Sequence, residues 1–125
     1  MFQNLEIFRM AHAMASHAGA RQAVIARNMA NADTPGYAAQ DIAPFAESYA
    51  RGETRLRASR AGHVGASPGD HELAARPDAP RDPNGNSVSL ETEMLNAVAV
   101  KRQHDRALAI YKSSLTVLRA AIGRR

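Results

Sequence analysis

Between Leu90 and Ile122 the spacing four, three, four, three repeats without a slip: Leu90, Met94, Ala97, Lys101, His104, Leu108, Tyr111, Leu115, Leu118 and Ile122. That period places every one of them on a single stripe of an α-helix and fits no β-strand, whose side chains alternate with a period of two. Ser89 is a good N-cap candidate, and Glu91 and Glu93 put negative charge in the first turn, where the helix dipole favours it. Gly123 is a natural stop. At 1.5 Å rise per residue the helix is about 50 Å long, more than a small globule needs. Lys101 and His104 interrupt the stripe, and polar seam residues fix register at some cost in stability. Beyond Ala107 the apolar face broadens, with Ile110, Val117 and Ala121 beside the stripe. One thin helix cannot cover a face that wide, so either a bundle forms or other subunits complete it.

The N-terminal stretch offers such a thin helix, from about Leu5 to Ala30. Phe8, Ala11, Ala15, Ala18, Gln22, Ile25 and Met29 alternate spacings of three and four, again a heptad-type stripe. Its centre is built of Ala13, Ala15, Ser16, Ala18, Gly19 and Ala20. Small side chains let a neighbouring helix approach closely but remove little apolar area from water. Gly19 alone costs the helix about 1 kcal/mol relative to alanine. Such a helix depends on partners, so the isolated chain is expected to be partly disordered and to gain helix on assembly.

The helical period ends at Asn28, Met29, Ala30, Asn31, Ala32, Asp33, Thr34, Pro35, Gly36 and Tyr37. Pro35 has no backbone donor and its ring disfavours the α conformation at Thr34, so the helix ends by about Asp33. Pro35 and Gly36 suit the two central positions of a type II turn, the second of which has positive φ. Asn28 and Asn31 share one side of the last turn, where their amides can bond to carbonyls freed at the helix end. Beyond the turn, Tyr37 to Phe45 reads as an extended segment packing Tyr37, Ile42 and Phe45 onto the helices, followed by a short helical turn from Ala46 to Arg51. From Gly52 to Asn86 large aliphatics are almost confined to Leu56, Val64 and Leu73, and Pro68, Pro77, Pro80 and Pro83 break any helix. The run Arg76 to Asn86 buries too little to offset its ordering entropy and is expected to be mobile in the free chain. A short strand or hairpin around Thr54 to Val64 is the remaining expectation there. The boundaries that follow are an N-terminal helix over residues 1–33, a middle segment over 34–86 and a C-terminal helix over 87–125. The fold class is mainly α, with the two long helices pairing as a coiled-coil-like bundle.

Composition narrows function by exclusion. The chain has no cysteine, which removes disulfides, thiolate metal sites and a cysteine nucleophile. His12 and His17, five residues apart on a helix, diverge by about 140° and cannot share a metal. His63 and His71 fall in the poorly packing middle, and His104 and Asp105 face apart. No P-loop, Gly-rich dinucleotide turn or G-x-S-x-G occurs. No catalytic residue, metal, cofactor or small-molecule substrate is expected, and the chain reads as a non-enzyme. No run of about eighteen apolar residues is present, so no membrane insertion is expected. The segment before Ala11-His12-Ala13 carries Glu6 and Arg9 and lacks the pattern of a cleaved secretory signal. The net charge of +4 rests mainly on arginine, but only Arg55, Arg57 and Arg60 crowd together, and no helix carries the continuous basic face that nucleic-acid binding uses.

The string Asn28-Met29-Ala30-Asn31-Ala32-Asp33-Thr34-Pro35-Gly36-Tyr37 resembles the N-terminal signature of flagellar rod, hook and hook-associated proteins, and within them most resembles the proximal rod proteins. Three further stretches agree in order: Leu56 to Val64, Gly85 to Met94 and Leu115 to Gly123. Ser89 replaces the Asp expected at the helix entry and keeps the capping role; the Pro-rich run Arg76 to Pro83 has no counterpart. The resemblance implies a structural subunit of the bacterial flagellar basal body, exported through the flagellar type III apparatus without cleavage. It implies assembly in the periplasm as a helical stack with copies of itself, other rod proteins, FliE and the MS ring and export-gate region. It also implies that the terminal helices carry torque and line the export channel, with Asn28, Ala30, Asn31, Asp33, Thr34, Pro35, Gly36 and Tyr37 forming an assembly turn. Two other classes fit parts of the chain: a helical adaptor that pairs with one partner through its heptads, and a small basic nucleic-acid-binding module.

Overall fold

A computed structural model describes residues 2–53, 73–76 and 79–123 of the chain. The elements in order are α1 (Phe2–Ala30), β1 (Gln40–Ile42), α2 (Phe45–Glu53), β2 (Leu73–Ala75) and α3 (Leu90–Ile122). Two long terminal helices pack together, with a short irregular middle laid against one end, as a coiled-coil-like bundle requires. They run antiparallel: Phe8 near the start of α1 meets Tyr111 of α3 edge to face at 5.1 Å, while Asn28 near its end reaches Glu93.

The contact between α1 and α3 is thin. Its core is Ala18, Ile25 and Val100, with Ala97 packed alongside, and Ala11 and Ala107 are buried further along. Alanines at these positions bring the two backbones close while removing little apolar area from water. α3 starts at the expected cap. Ser89 is extended, and its hydroxyl accepts from the Thr92 amide at 3.4 Å. At the other end the Gly123 amide donates to Arg119 O at 2.8 Å, but Gly123 has φ −77°, so the stop does not use glycine's left-handed freedom.

β1 and β2 form a two-stranded antiparallel ribbon, with Gln40 opposite Ala75, Asp41 opposite Ala74 and Ile42 opposite Leu73. β1 lies on α1 with Ala39 and Ile42 buried, whereas all of β2 is exposed. α2 docks through Phe45, whose ring meets the buried His17 at 5.6 Å. His17 Nε2 lies 2.8 Å from Ala43 O; a carbonyl only accepts, so that nitrogen carries the proton. Of the run from Arg76 to Asn86, the described residues are 76 and 79–86, and they bond to the rest of the chain at Arg76, Asn84 and Asn86. Arg76 N donates to Ala39 O, Asp82 N donates to Asn86 O, and Ser87 N, just beyond, donates to Tyr37 O. The expected strand or hairpin at Thr54 to Val64, the Arg55, Arg57 and Arg60 group, His63 and His71 lie outside the described residues.

Candidate functional site

The described helices hold no group of three or more His, Asp or Glu side chains suited to a metal ion, and none is long and apolar enough to cross a membrane. Two features remain: the helix-ending turn and the outer stripe of α3.

The turn is closed by Tyr37 N donating to Thr34 O at 3.2 Å, with Gly36 at φ +73°. This is the type II arrangement, in which a β-carbon at the third position would be strained. Ala30, Asp33, Thr34, Pro35 and Gly36 are exposed. Asn31 turns back to the helix end, donating to Arg27 O at 2.8 Å and accepting from the Thr34 hydroxyl at 3.3 Å.

Asn28 points the other way and is fully buried. Its Nδ2 donates to Gln40 O at 2.7 Å and to Glu93 Oε2 at 3.1 Å. Its Oδ1 accepts from Gln40 N at 3.1 Å and from the Tyr37 hydroxyl at 3.3 Å. A primary amide has two donors and two acceptor lone pairs, and here all are used. By bonding both backbone groups of Gln40, the side chain acts as a one-residue strand partner and closes the edge of β1 that β2 does not cover.

From behind, the turn is clamped by the loop that leads into α3. Asn86, also fully buried, donates Nδ2 to the carbonyls of Asn31, Ala32 and Thr34 at 2.9, 2.8 and 2.8 Å. Its Oδ1 accepts from Val88 N at 2.7 Å. Gly36 N donates to Asn84 O at 3.0 Å, and the Ser87 hydroxyl accepts from Ala39 N at 2.8 Å. Gly85 has φ +81°, and a β-carbon there would lie 3.4 Å from Gly36 Cα. The two turns therefore touch backbone to backbone.

A chain of charges ties this end together. Arg21 grips Asp41 with two parallel bonds of 2.9 and 2.8 Å. Arg76 Nη2 lies 3.6 Å from the same carboxylate, and its Nη1 donates to Glu93 Oε1 at 2.9 Å. Burial pushes the Asp41 carboxyl up, but the Arg21 hydrogen bond, the Ile42 amide and the charges of Arg21 and Arg76 outweigh it and hold it below its ordinary value. The Arg21 guanidinium is correspondingly raised, chiefly by its hydrogen bond to Asp41. Glu93 is completely buried, so the carboxylate read in sequence as helix-start charge is also the hub joining α1, α3 and the end of β2. Arg21, Asp41, Arg76 and Asn86 carried no sequence signal, because their partners lie 17 to 55 residues away.

The heptad stripes divide by burial. On α1, Ala11, Ala18 and Ile25 are buried, Phe8 and Ala15 half-buried, and Met29 exposed. On α3, Ala97, Leu115 and Leu118 are half-buried, while Leu90, Met94, Leu108, Tyr111 and Ile122 are exposed. The buried positions of α3 are Glu93, Val100 and Ala107, each one residue before Met94, Lys101 and Leu108. One residue is about 100° of helix, so α1 covers one flank of the stripe and leaves the other open.

Comparison with known proteins bears on what such an arrangement serves. Residues 15–37, from the middle of α1 through the turn, match the family model described as "Flagella basal body rod protein". The chain is 33% identical over 121 residues to the flagellar basal body rod protein FlgB of Agrobacterium fabrum, covering 89% of this chain and 88% of that protein. A match of that identity along nearly the whole of both chains places this protein in the FlgB family of flagellar basal body rod proteins.

Proposed function

We propose that this chain is a proximal-rod subunit that stacks helically with copies of itself and with other rod proteins, beside FliE and the MS ring and export gate. The observation that carries the reading is the likeness to FlgB along nearly the full length of both chains. The open flank of α3 supports it: a subunit finished by its own fold would not leave Leu90, Met94, Leu95, Val98, Leu108 and Ile122 in water. The subunit is structural and non-catalytic. On this reading it works in the periplasm after type III export without a cleaved signal, α1 and α3 carry torque and line the export channel, and the turn from Asn28 to Tyr37 is a rigid element presented to a neighbour. A head-to-tail contact that does not close generates such a helical stack.

Deletion of the gene, followed by motility assay and electron microscopy of isolated basal bodies, tests this. Rings without a rod, restored by the intact gene, are expected. Normal rods and swimming in the deletion strain would overturn the reading, and a stoichiometric complex without filaments would favour a helical adaptor.

A further inference from the structure

The chain has one Asn-Gly pair, Asn84-Gly85. The backbone nitrogen after an asparagine is a ring closure away from the side-chain carboxamide, and glycine, with no β-carbon, leaves that nitrogen open to approach. Both residues belong to the loop that clamps the turn. Gly85 N donates to Asp82 O at 2.8 Å, and Asp82 N donates to Asn86 O at 2.8 Å. Gly85 has φ +81°, whereas no described residue other than glycine has positive φ. Asn84 therefore occupies the third position of a type I turn, after Pro83 and before a left-handed glycine.

We infer that Asn84-Gly85 is a site of spontaneous deamidation that the fold holds shut. In the unfolded chain Gly85 N, having lost its proton to solvent base, attacks Asn84 Cγ. The new N–Cγ bond closes a cyclic imide, the Cγ–Nδ2 bond breaks, and ammonia leaves with a proton from water. Water then opens the imide at Cγ to give aspartate, or at the main-chain carbonyl to give isoaspartate, whose backbone runs through Cβ. In the fold the reacting peptide group is pinned on both sides: Asn84 O accepts from Gly36 N at 3.0 Å, and Gly85 N donates to Asp82 O. The side-chain Oδ1 accepts from Asn86 N at 2.9 Å. Bringing Gly85 N onto Cγ requires rotation about the Asn84 Cα–C bond, which breaks both backbone hydrogen bonds, and turning of the carboxamide, which breaks the third. Asn84 is exposed, so water and base reach it and the protection is conformational. Every other asparagine precedes a residue with a β-carbon, and Asn28 and Asn86 are besides fully buried. The product acts on the turn. Isoaspartate adds a carbon to the backbone before Asn86 and draws its amide away from the carbonyls of Asn31, Ala32 and Thr34. Aspartate keeps the acceptor for Asn86 N. A chain left unfolded thus accumulates a form that cannot close the turn end, and a folded chain does not.

The test holds the full chain in mildly alkaline buffer, native and in guanidinium chloride, and follows residue 84 by peptide mapping with fragmentation that separates aspartate from isoaspartate. In guanidinium, conversion at residue 84 is expected to outpace every other asparagine and to rise with pH. In the native chain it waits on local opening and is expected to be at least about tenfold slower. Below the unfolding midpoint, added guanidinium should quicken conversion and hydrogen exchange of the Gly85 amide by the same factor, since both need the same opening. Asn86→Ala, checked for retained helix by circular dichroism, should speed the native reaction and leave the denatured rate unchanged. Equal conversion in native and denaturing buffer overturns the inference, as does native conversion that stays constant while Gly85 exchange quickens. The refolded isoaspartate form is expected to lose exchange protection at the Gly36 amide, whereas Asn84→Asp keeps it. Protection retained in both would sink the effect on the turn.

Discussion

The two ends of the helix pair are held by different physics. At the turn end, nearly every buried polar atom is matched: Asn28, Asn86 and Glu93 are all fully buried and bonded. At the far end α1 and α3 meet through Phe8 against Tyr111, and beyond that Val117 and Ile122 lie in water. A directional hydrogen-bond network has one good geometry and fails as a unit when a member is lost, whereas a thin apolar contact is tolerant and weak. The turn end is therefore shaped within the chain, and the far end presents exposed apolar side chains.

Removing Glu93 should separate the two ends most sharply. Glu93→Ala leaves Arg76 and Asn28 facing a buried void, and loss of one partner of a buried ion pair costs about 3–5 kcal/mol. Urea denaturation should show that loss; a change below about 1 kcal/mol would mean that the network is solvated and the contrast false. Asn86→Ala comes next, at about 2–3 kcal/mol, since the Val88 amide and the turn carbonyls lose their partner. Hydrogen exchange should then speed at the Gly36 and Tyr37 amides while α3 beyond Ala107 exchanges as before.

Acid should act on the same end. Asp41 sits below its ordinary pKa in the folded chain. Its contribution is thus full above the unfolded value of about 3.9 and is lost as pH falls through the lower folded one. The denaturation midpoint should drop on acidification across that window, and Asp41→Asn should flatten the drop. At the far end Tyr111→Ala should cost only about 1 kcal/mol, the edge-to-face contact with Phe8 and some half-exposed area. Smallest of all, Lys101→Ala should leave stability within about 0.5 kcal/mol, because its pair with Asp105 is an exposed i, i+4 contact.

The local signals were legible in the chain. The helix over α3 and its Ser89 cap, the end of α1 before Pro35 and the positive φ at Gly36 all follow from short-range rules of period, capping and ring sterics. These act within a few residues and need no knowledge of the fold. The paired helices with an irregular middle follow from the two stripes flanking a Pro- and Gly-rich segment. Less legible were the hydrogen bonds that join Asn84 and Asn86 to the turn, because apolar content does not register backbone and amide groups.

The identity of the charged hub and the choice of flank were decided in three dimensions. Arg21, Asp41, Arg76 and Glu93 are ordinary surface-type residues in sequence, and become a network only when antiparallel packing brings residues 21, 41, 76 and 93 to one end. The stripe of α3 announces that the helix has a seam, but a heptad repeat is equally a seam for one partner or for two. Close packing of alanine-faced α1 over Glu93, Val100 and Ala107 settled that: a helix with small side chains sits near the axis of its partner and covers a narrow strip. The larger side chains of Leu90, Met94 and Leu108 are left outside it.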